Sequence, residues 1–389
     1  MFRFLTAGES HGRGLVAIIE GLPRGLVVNI ERMNRDMARR QRGYGRGKRM
    51  QIERDRVEIL TGVRFGETLG SPVALWIENR DFKNWKESMD ALEAPGSESA
   101  RRQVRHPRPG HADLAGALKY DTKDVRNILE RASARETAVR VAVGALTRLL
   151  LGEFGIELTS HVVRVGQVAV KDPLGVSWER IIALPDDSPL RCVDGRVERD
   201  MMDEVDRAKA NGDTVGGVFQ IVVRGVPAGL GSHVHWDRRL DGKLAQAMMS
   251  VPAVKAVEIG AGVTGGSSVG SAFQDEIYYA RDRGFYRKSN RSGGIEGGIS
   301  NGEEIRVHGF MKPLSTLIRP LNSVDLESKE VRKAAVERTD TTAITAAGVV
   351  GEAVTALVLC EMFLEKFGGD SLEEMRRNYE GYRRQLSDF

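Results

Sequence analysis

Apolar and polar positions change their period several times along the chain, and each change marks an element. Phe2–Thr6 and Leu15–Leu22 read as short strands on either side of the turn Gly8-Glu9-Ser10-His11-Gly12. Met33–Gln41 predicts a helix, and Glu58–Thr61 and Val73–Glu78 predict strands. Ser133-Ala134-Arg135-Glu136 has the form of a capping box, and Val139, Val143, Leu146 and Leu150 follow at helical spacing. Strands are expected at Gly216–Val223 and Ala256–Ile259, with a helix over Leu240–Met249 between them. Ala343–Phe367 predicts a long helix of small and apolar residues. Arg42–Arg49 and Gly293–Gly302 are glycine-rich loops, and Arg80–Gly110 is long, polar and without period. A loop of that length in a compact protein usually serves function. No repeat, linker or shift of composition divides the chain, so residues 1–389 are expected to form one interwoven domain of mixed α/β class.

Composition narrows the setting. With 41% hydrophobic and 29% charged residues the chain has the balance of a soluble globular protein. The apolar run near Ala353–Leu364 is broken by Thr355 and Glu361 and is too short and too polar to span a bilayer. The N-terminus lacks the apolar stretch of a signal peptide. Cys192 and Cys360 are far apart and form no metal-binding spacing, so a reducing cytoplasm is the expected compartment. A net charge of +4 is mild, but its distribution is not. Arg39, Arg40, Arg42, Arg46, Lys48, Arg49, Arg54 and Arg56 crowd one segment, and Arg101, Arg102, Arg105 and Arg108 another. Such clusters fit a nucleic-acid surface or a pocket for a small polyanion.

Candidate chemistry lies in the turns. His11 stands among glycines, and His111 follows Pro109-Gly110 on a rigid turn. Each is either a surface histidine or a proton-transfer group, since imidazole titrates near neutrality. The loop RGYGRGKR at 42–49 is either a solvated basic loop or a clamp for phosphate and carboxylate, because guanidinium forks match those oxygens. It holds one aromatic, Tyr44, so RNA recognition by stacking has little to rest on. At the predicted helix start, Arg131 and Arg135 oppose the helix dipole. Either Glu130 and Glu136 compensate them or a bound phosphate does. Gly260–Gly265 fits GxGxxG but is not followed by a helix-forming sequence, and a nicotinamide site is rejected there. Asp340 reads as a cap of the last long helix, or as a base beside Arg338.

Seven blocks together resemble the chorismate synthase family: GESHG (8–12), RRQRGYGRGKRM (39–50), RPGHADLAG (108–116), ERASARETA (130–138), GGIEGGISNG (293–302), MKPLST (311–316) and ERTDTTA (337–343). Lys48 replaces a frequent glycine and Ala132 a frequent serine of that family. The resemblance implies a β-α-β sandwich, with helices between two largely antiparallel sheets, and a homotetramer. It also implies a lyase of the shikimate pathway that uses reduced FMN for the 1,4-anti elimination of phosphate from 5-enolpyruvylshikimate 3-phosphate. By the same resemblance, His11 donates a proton towards the leaving phosphate and His111 keeps the reduced flavin protonated. Asp340 takes a proton from flavin N5, relayed through Ser10. Arg40, Arg46, Arg49, Arg108, Arg135 and Arg338 bind the substrate. Arg131, Ala132, Ser133, Pro252, Ala253, Gly297, Lys312, Pro313, Leu314, Ser315, Thr316 and Arg338 contact FMN. NADPH enters only as an indirect reductant, around Arg40 and Arg46, and an external flavin reductase is expected. A nucleic-acid-binding protein and a nicotinamide-dependent dehydrogenase are the rival readings. Neither accounts for GESHG or RPGHAD.

Overall fold

The computed structural model describes residues 1–47, 54–97, 101–337 and 340–389. Strands β1 (Arg3–Ala7), β2 (Gly14–Glu20), β3 (Glu58–Thr61) and β4 (Val73–Glu78) form one sheet in the order β1-β2-β4-β3. Strands β5 (Glu157–Val165), β6 (Val168–Ala169), β7 (Gly217–Arg224), β8 (Val254–Ile259) and β9 (Ile305–Met311) form a second, in the order β8-β9-β7-β5-β6. Every pairing within both sheets is antiparallel. The helices used below are α1 (Ile30–Gln41), α2 (Asp113–Lys119), α3 (Arg126–Ala132), α4 (Thr137–Gly152), α5 (Gly195–Ala210), α6 (Leu240–Met249), α7 (Ile344–Phe367) and α8 (Leu372–Asp388).

Helix α4 packs on β2 and β4 of the first sheet, α7 packs on β5 and β7 of the second, and the two helices pack on each other. Their approach is close. A Cβ on Gly144 of α4 would stand 2.5 Å from the Ala353 Cβ of α7, so only glycine lets the backbones meet there. One hydrophobic cluster runs from Leu15 and Ile77 through Val139, Leu146 and Leu150 to Phe219, Val307 and Phe363. The mixed helix-and-sheet expectation therefore holds, and a single core joins the two sheets.

Several expectations need correction. The helix expected over Ala343–Phe367 forms as α7, but contrary to the reading of its apolar stretch as too short and too polar, it is long and apolar enough to cross a membrane. Most of it is buried inside the protein, which accounts for its composition. The helix expected from Ser133 begins at Thr137, after a 3₁₀ turn at Ala134–Glu136 and directly behind α3. Ser133 Oγ accepts the Arg135 N–H, but Glu136 pairs with Arg140 rather than closing a capping box. The 293–302 loop is a tight hairpin, Ile295–Glu296 against Ile299–Ser300. At Gly260–Gly265, β8 is followed by a four-residue helix only and pairs antiparallel with β9, so the rejected dinucleotide site lacks its βαβ frame.

Candidate active site

The GESHG turn joins β1 to β2 and is fixed from two sides. Asn79, just beyond β4, donates its side-chain N–H groups to Glu9 O (3.0 Å) and Gly12 O (2.8 Å). From α3, the Glu130 carbonyl accepts the Ser10 N–H at 2.9 Å. The Glu130 carboxylate accepts the His11 N–H at 2.8 Å and lies 2.8 Å from His11 Nδ1. The Trp85 indole stacks on the imidazole at 3.8 Å between centroids, and Arg102 covers the indole in turn. Only 9% of His11 is exposed, which removes the surface-turn reading. Burial alone would raise the Glu130 carboxyl, but His11 and Arg126 hold it below the ordinary range. As a carboxylate it can only accept, so His11 donates its Nδ1–H to it, which leaves Nε2 as the ring nitrogen able to meet a ligand. The aperiodic stretch after Arg80 is thus a docked arm that carries Trp85 onto His11.

The arginines form a second group beside this turn. Arg135 Nη1 binds both oxygens of Asp55, at 2.6 and 2.7 Å, and its Nε donates to Asn79 Oδ1 at 2.8 Å. Arg40, from the last turn of α1, reaches the same Asp55 at 3.2 Å. Its Nε is buried with no hydrogen-bond partner among the described residues. Burial, with Arg135 and Arg46 nearby, pulls the Arg40 guanidinium down to about 10 against the pull of Asp55. Arg46 stands 3.4 Å from Asp340, whose other oxygen accepts the Gly47 N–H at 2.6 Å. Asp340 is therefore no helix cap: α7 starts after Ala343 without a side-chain cap. The basic loop is also less free than its glycines suggest. Gly45 O accepts from Thr341 N–H, and Tyr44 donates through its N–H to Pro189 O and through its hydroxyl to Asp206. Arg49, Lys48 and Arg338 lie outside the described residues.

His111 occupies a parallel arrangement. Its Nδ1 lies 2.5 Å from Asp113 Oδ1, at the start of α2. Arg108 grips the same carboxylate through Nε and Nη2 and reaches Thr316 Oγ1 at 3.1 Å. Burial would raise Asp113, but His111 and Arg108 hold it far below the usual carboxylate range. Again Nε2 is the nitrogen left for a ligand. Arg108, with its donors spent here, positions His111 and the 312–316 segment. That segment docks on the turn: Lys312 Nζ and Ser315 Oγ donate to Gly110 O at 3.0 and 2.9 Å, and the Lys312 N–H donates to Ala253 O. Pro252 and Ala253, Lys312–Thr316 and His111 are therefore neighbours. Arg131 holds Thr6 and Gly8, and Ser133 Oγ lies 3.1 Å from Ser10 Oγ, which puts Arg131, Ala132 and Ser133 beside the His11 turn. Gly297 is set apart. Its neighbour Gly298 accepts from Leu240 at the start of α6, whereas Pro252 follows the end of that helix, about 15 Å along.

Asp55, Asn79, Trp85 and Asp113 hold the candidate residues and carry no reading from sequence, while Glu130, expected to compensate Arg131 and Arg135, instead holds His11. Asp113 had a signal, an acid two residues from a histidine. Asp55 had a weaker one, an acid inside an arginine-rich run.

The family model for chorismate synthase matches residues 2–364. The chorismate synthase of Carboxydothermus hydrogenoformans is 54% identical, with 100% of both chains covered. That of Geobacter sulfurreducens is 56% identical, with 98% of each covered. A crystal structure of chorismate synthase superposes with a TM-score of 0.80 at 42% identity, covering 100% of this chain and 99% of that one. Likeness of this extent, carried by fold and sequence alike, leaves neither rival reading standing, and the chain belongs to the chorismate synthase family, the phosphate-eliminating lyases of aromatic amino acid biosynthesis.

Proposed function

We propose that this cleft binds reduced FMN and 5-enolpyruvylshikimate 3-phosphate together and carries out the 1,4-anti elimination of phosphate that gives chorismate. The observation that carries this reading is a buried arginine, Arg40, whose Nε has no hydrogen-bond partner among the described residues, in the same group as a histidine whose Nδ1 meets a carboxylate. Arg40 and Arg135 both reach Asp55, Arg46 stands by Asp340, and the Arg40 Nε has no acceptor among the described residues. A phosphate or carboxylate supplies the missing acceptor, and a charged hydrogen bond of that kind contributes about 1.5–3 kcal/mol. Arg49 and Arg338 belong to the same anion set by family pattern.

His11, with Nδ1–H committed to Glu130, gives the proton of Nε2 to the leaving phosphate oxygen. His111 holds a proton at Nε2 towards the cofactor, its Nδ1 fixed by Asp113. Asp340 takes up a proton at its carboxylate, and Ser10 Oγ, beside Ser133 Oγ, is the relay. Reduced FMN, when bound, lends electron density as phosphate departs and recovers it, so no net oxidation results. Residues fitting its phosphate are present. Lys312 is drawn below its ordinary value by burial and by Lys255, and it bonds to Gly110 O and Ser315 Oγ, neither of them an anion. Arg131, Ala132, Ser133, Pro252, Ala253 and Lys312–Thr316 would hold the cofactor, with Gly297 a more distant contact.

Helices α4 and α7 lying between two antiparallel sheets support the family's β-α-β sandwich as the fold. We further place the enzyme in the cytoplasm as a homotetramer supplied by an external flavin reductase, with NADPH used only through that reductase. Anaerobic assays of phosphate release and chorismate absorbance test the reading. Turnover is expected with dithionite-reduced FMN and none with oxidised FMN, and equal rates would refute the cofactor's role. Oxidised FMN with NADPH and no reductase should also stay silent. Sustained product there, lost in Arg40→Ala or Arg46→Ala, would place a nicotinamide site in the arginine loop.

A further inference from the structure

A second set of arginines lies away from the histidines. The face of α1 that carries Arg32, Arg35, Asp36 and Arg39 lines a pocket of about 290 Å³, together with Arg148, Arg191 and Trp178. Arg40 is not among its walls. Arg39 and Arg148 are satisfied by Asp36 and the fully buried Glu352. The remaining acids of the pocket also have partners: Glu157 pairs with Arg224, and Asp186 stands 4.0 Å from Arg42. Arg32, Arg35 and Arg191 make no ion pair among the described residues.

Arg191 is the least expected of the three. It is only 6% exposed, yet its guanidinium bonds just to the carbonyl of Ser160, at 3.2 and 3.4 Å through Nη2 and Nε. Nη1 donates to nothing among the described residues. Its backbone holds φ at 54°, a conformation that costs a side-chain-bearing residue energy. The indole N–H of Trp178, in the same wall, is buried and likewise has no acceptor. A buried cation with no carboxylate in direct contact among the described residues, and a buried donor without an acceptor there, are both costly unless something fills the pocket.

We propose that this pocket is a second anion site, separate from the catalytic cleft, for a small organic anion that presents a phosphate or carboxylate to Arg191, Arg35 and Arg32 and an apolar face to Trp178 and Ile182. Burial and the nearby Arg39 hold the Arg191 guanidinium below its ordinary value, against the opposing pull of Glu352 and Asp186. Exposed arginines on one helix face bring the anion in, and the buried fork fixes it.

The chain has four tryptophans, and their indole ¹H–¹⁵N signals separate the two sites in one sample. Trp178 reports this pocket and Trp85 the cleft, each assigned by its Phe variant. The intact protein is titrated with inorganic phosphate and, separately, with benzoate, which tells phosphate from carboxylate preference. The Trp178 signal should move saturably with at least one of them. In Arg35→Gln and Arg191→Met the apparent Kd should rise about tenfold or more, while any Trp85 response is unchanged. Arg35 is exposed, so its variant reports even where Arg191→Met folds poorly. A Trp178 signal that stays still with both anions, or that moves equally in wild type and Arg35→Gln, overturns the proposal.

Discussion

Arg39 and Arg40 are consecutive on α1, both buried, and they meet opposite circumstances. Arg39 turns towards α4 and α7, where Asp36 and Glu352 embrace it. Burial alone would lower its guanidinium, yet these two carboxylates raise it well above the ordinary range. Arg40 turns towards the His11 side, shares one carboxylate with Arg135 and has Arg46 as a further cation. The same residue type at the same depth is thus complete in one place and, among the described residues, short of negative charge in the other. A completed pair is structural, since removing one partner strands the other in a medium that cannot solvate it. An incomplete one is a site waiting for an anion.

The largest effect belongs to the cleft. His11→Ala and His111→Ala should each lower kcat by about 10²–10⁴-fold with the melting temperature little changed, because each ring is a proton carrier held by a carboxylate. Wild-type rates in both variants would return them to structural roles. Next comes the core. Glu352→Gln leaves Arg39 and Arg148 undercompensated and should cost about 3–5 kcal/mol in denaturant unfolding, while kcat per folded molecule is retained. Lost activity at unchanged stability would break the division between the two regions.

How much of this was readable beforehand follows from where the signals lie. β3, β4 and α6 were expected with the boundaries observed, since each carries a clean apolar period between turn residues. β5 and β9, which lie inside the second sheet, were missed because they are buried on both faces and carry polar residues there: Ser160 and His161 on one, Arg306 and His308 on the other. Across the sheet Gln220 of β7 bonds to Nε2 of both histidines, and Ser160 Oγ donates to Glu352 of α7, partners that no single-strand pattern records. The amphipathic helices α5 and α8 were passed over as well. In the site, His11 and His111 were legible because glycine and proline frame them. Asp55 was not, nor was the partner of Glu130, because Asp55 meets Arg135 across 80 positions and Glu130 meets His11 across 119.

The His161–Gln220–His308 group supplies the smallest predicted effect. Burial, aided by Arg306, holds both rings down to about 4, so the folded protein keeps them neutral where the unfolded chain would protonate. His308 also faces Glu258, and Arg191 and Arg180 bear on His161. A folded value below the unfolded 6.5 means stability is complete above that pH and is lost as pH falls towards 4. The melting temperature should decline across that window, and His308→Gln should flatten the decline. An unchanged slope would show that the pair is not neutral and buried in solution.

The neighbouring arginines themselves give the sharpest test, made by measuring melting temperature and substrate Kd on Arg39→Met and Arg40→Met side by side. Arg39→Met should lower the melting temperature markedly and leave the substrate Kd within about twofold of wild type, as for a broken buried pair remote from the ligand. Arg40→Met should weaken substrate binding about tenfold or more with little change in melting temperature, because Arg135 still neutralises Asp55. The reverse result, with Arg40→Met unstable but binding normally and Arg39→Met stable but binding poorly, would contradict the account at its centre.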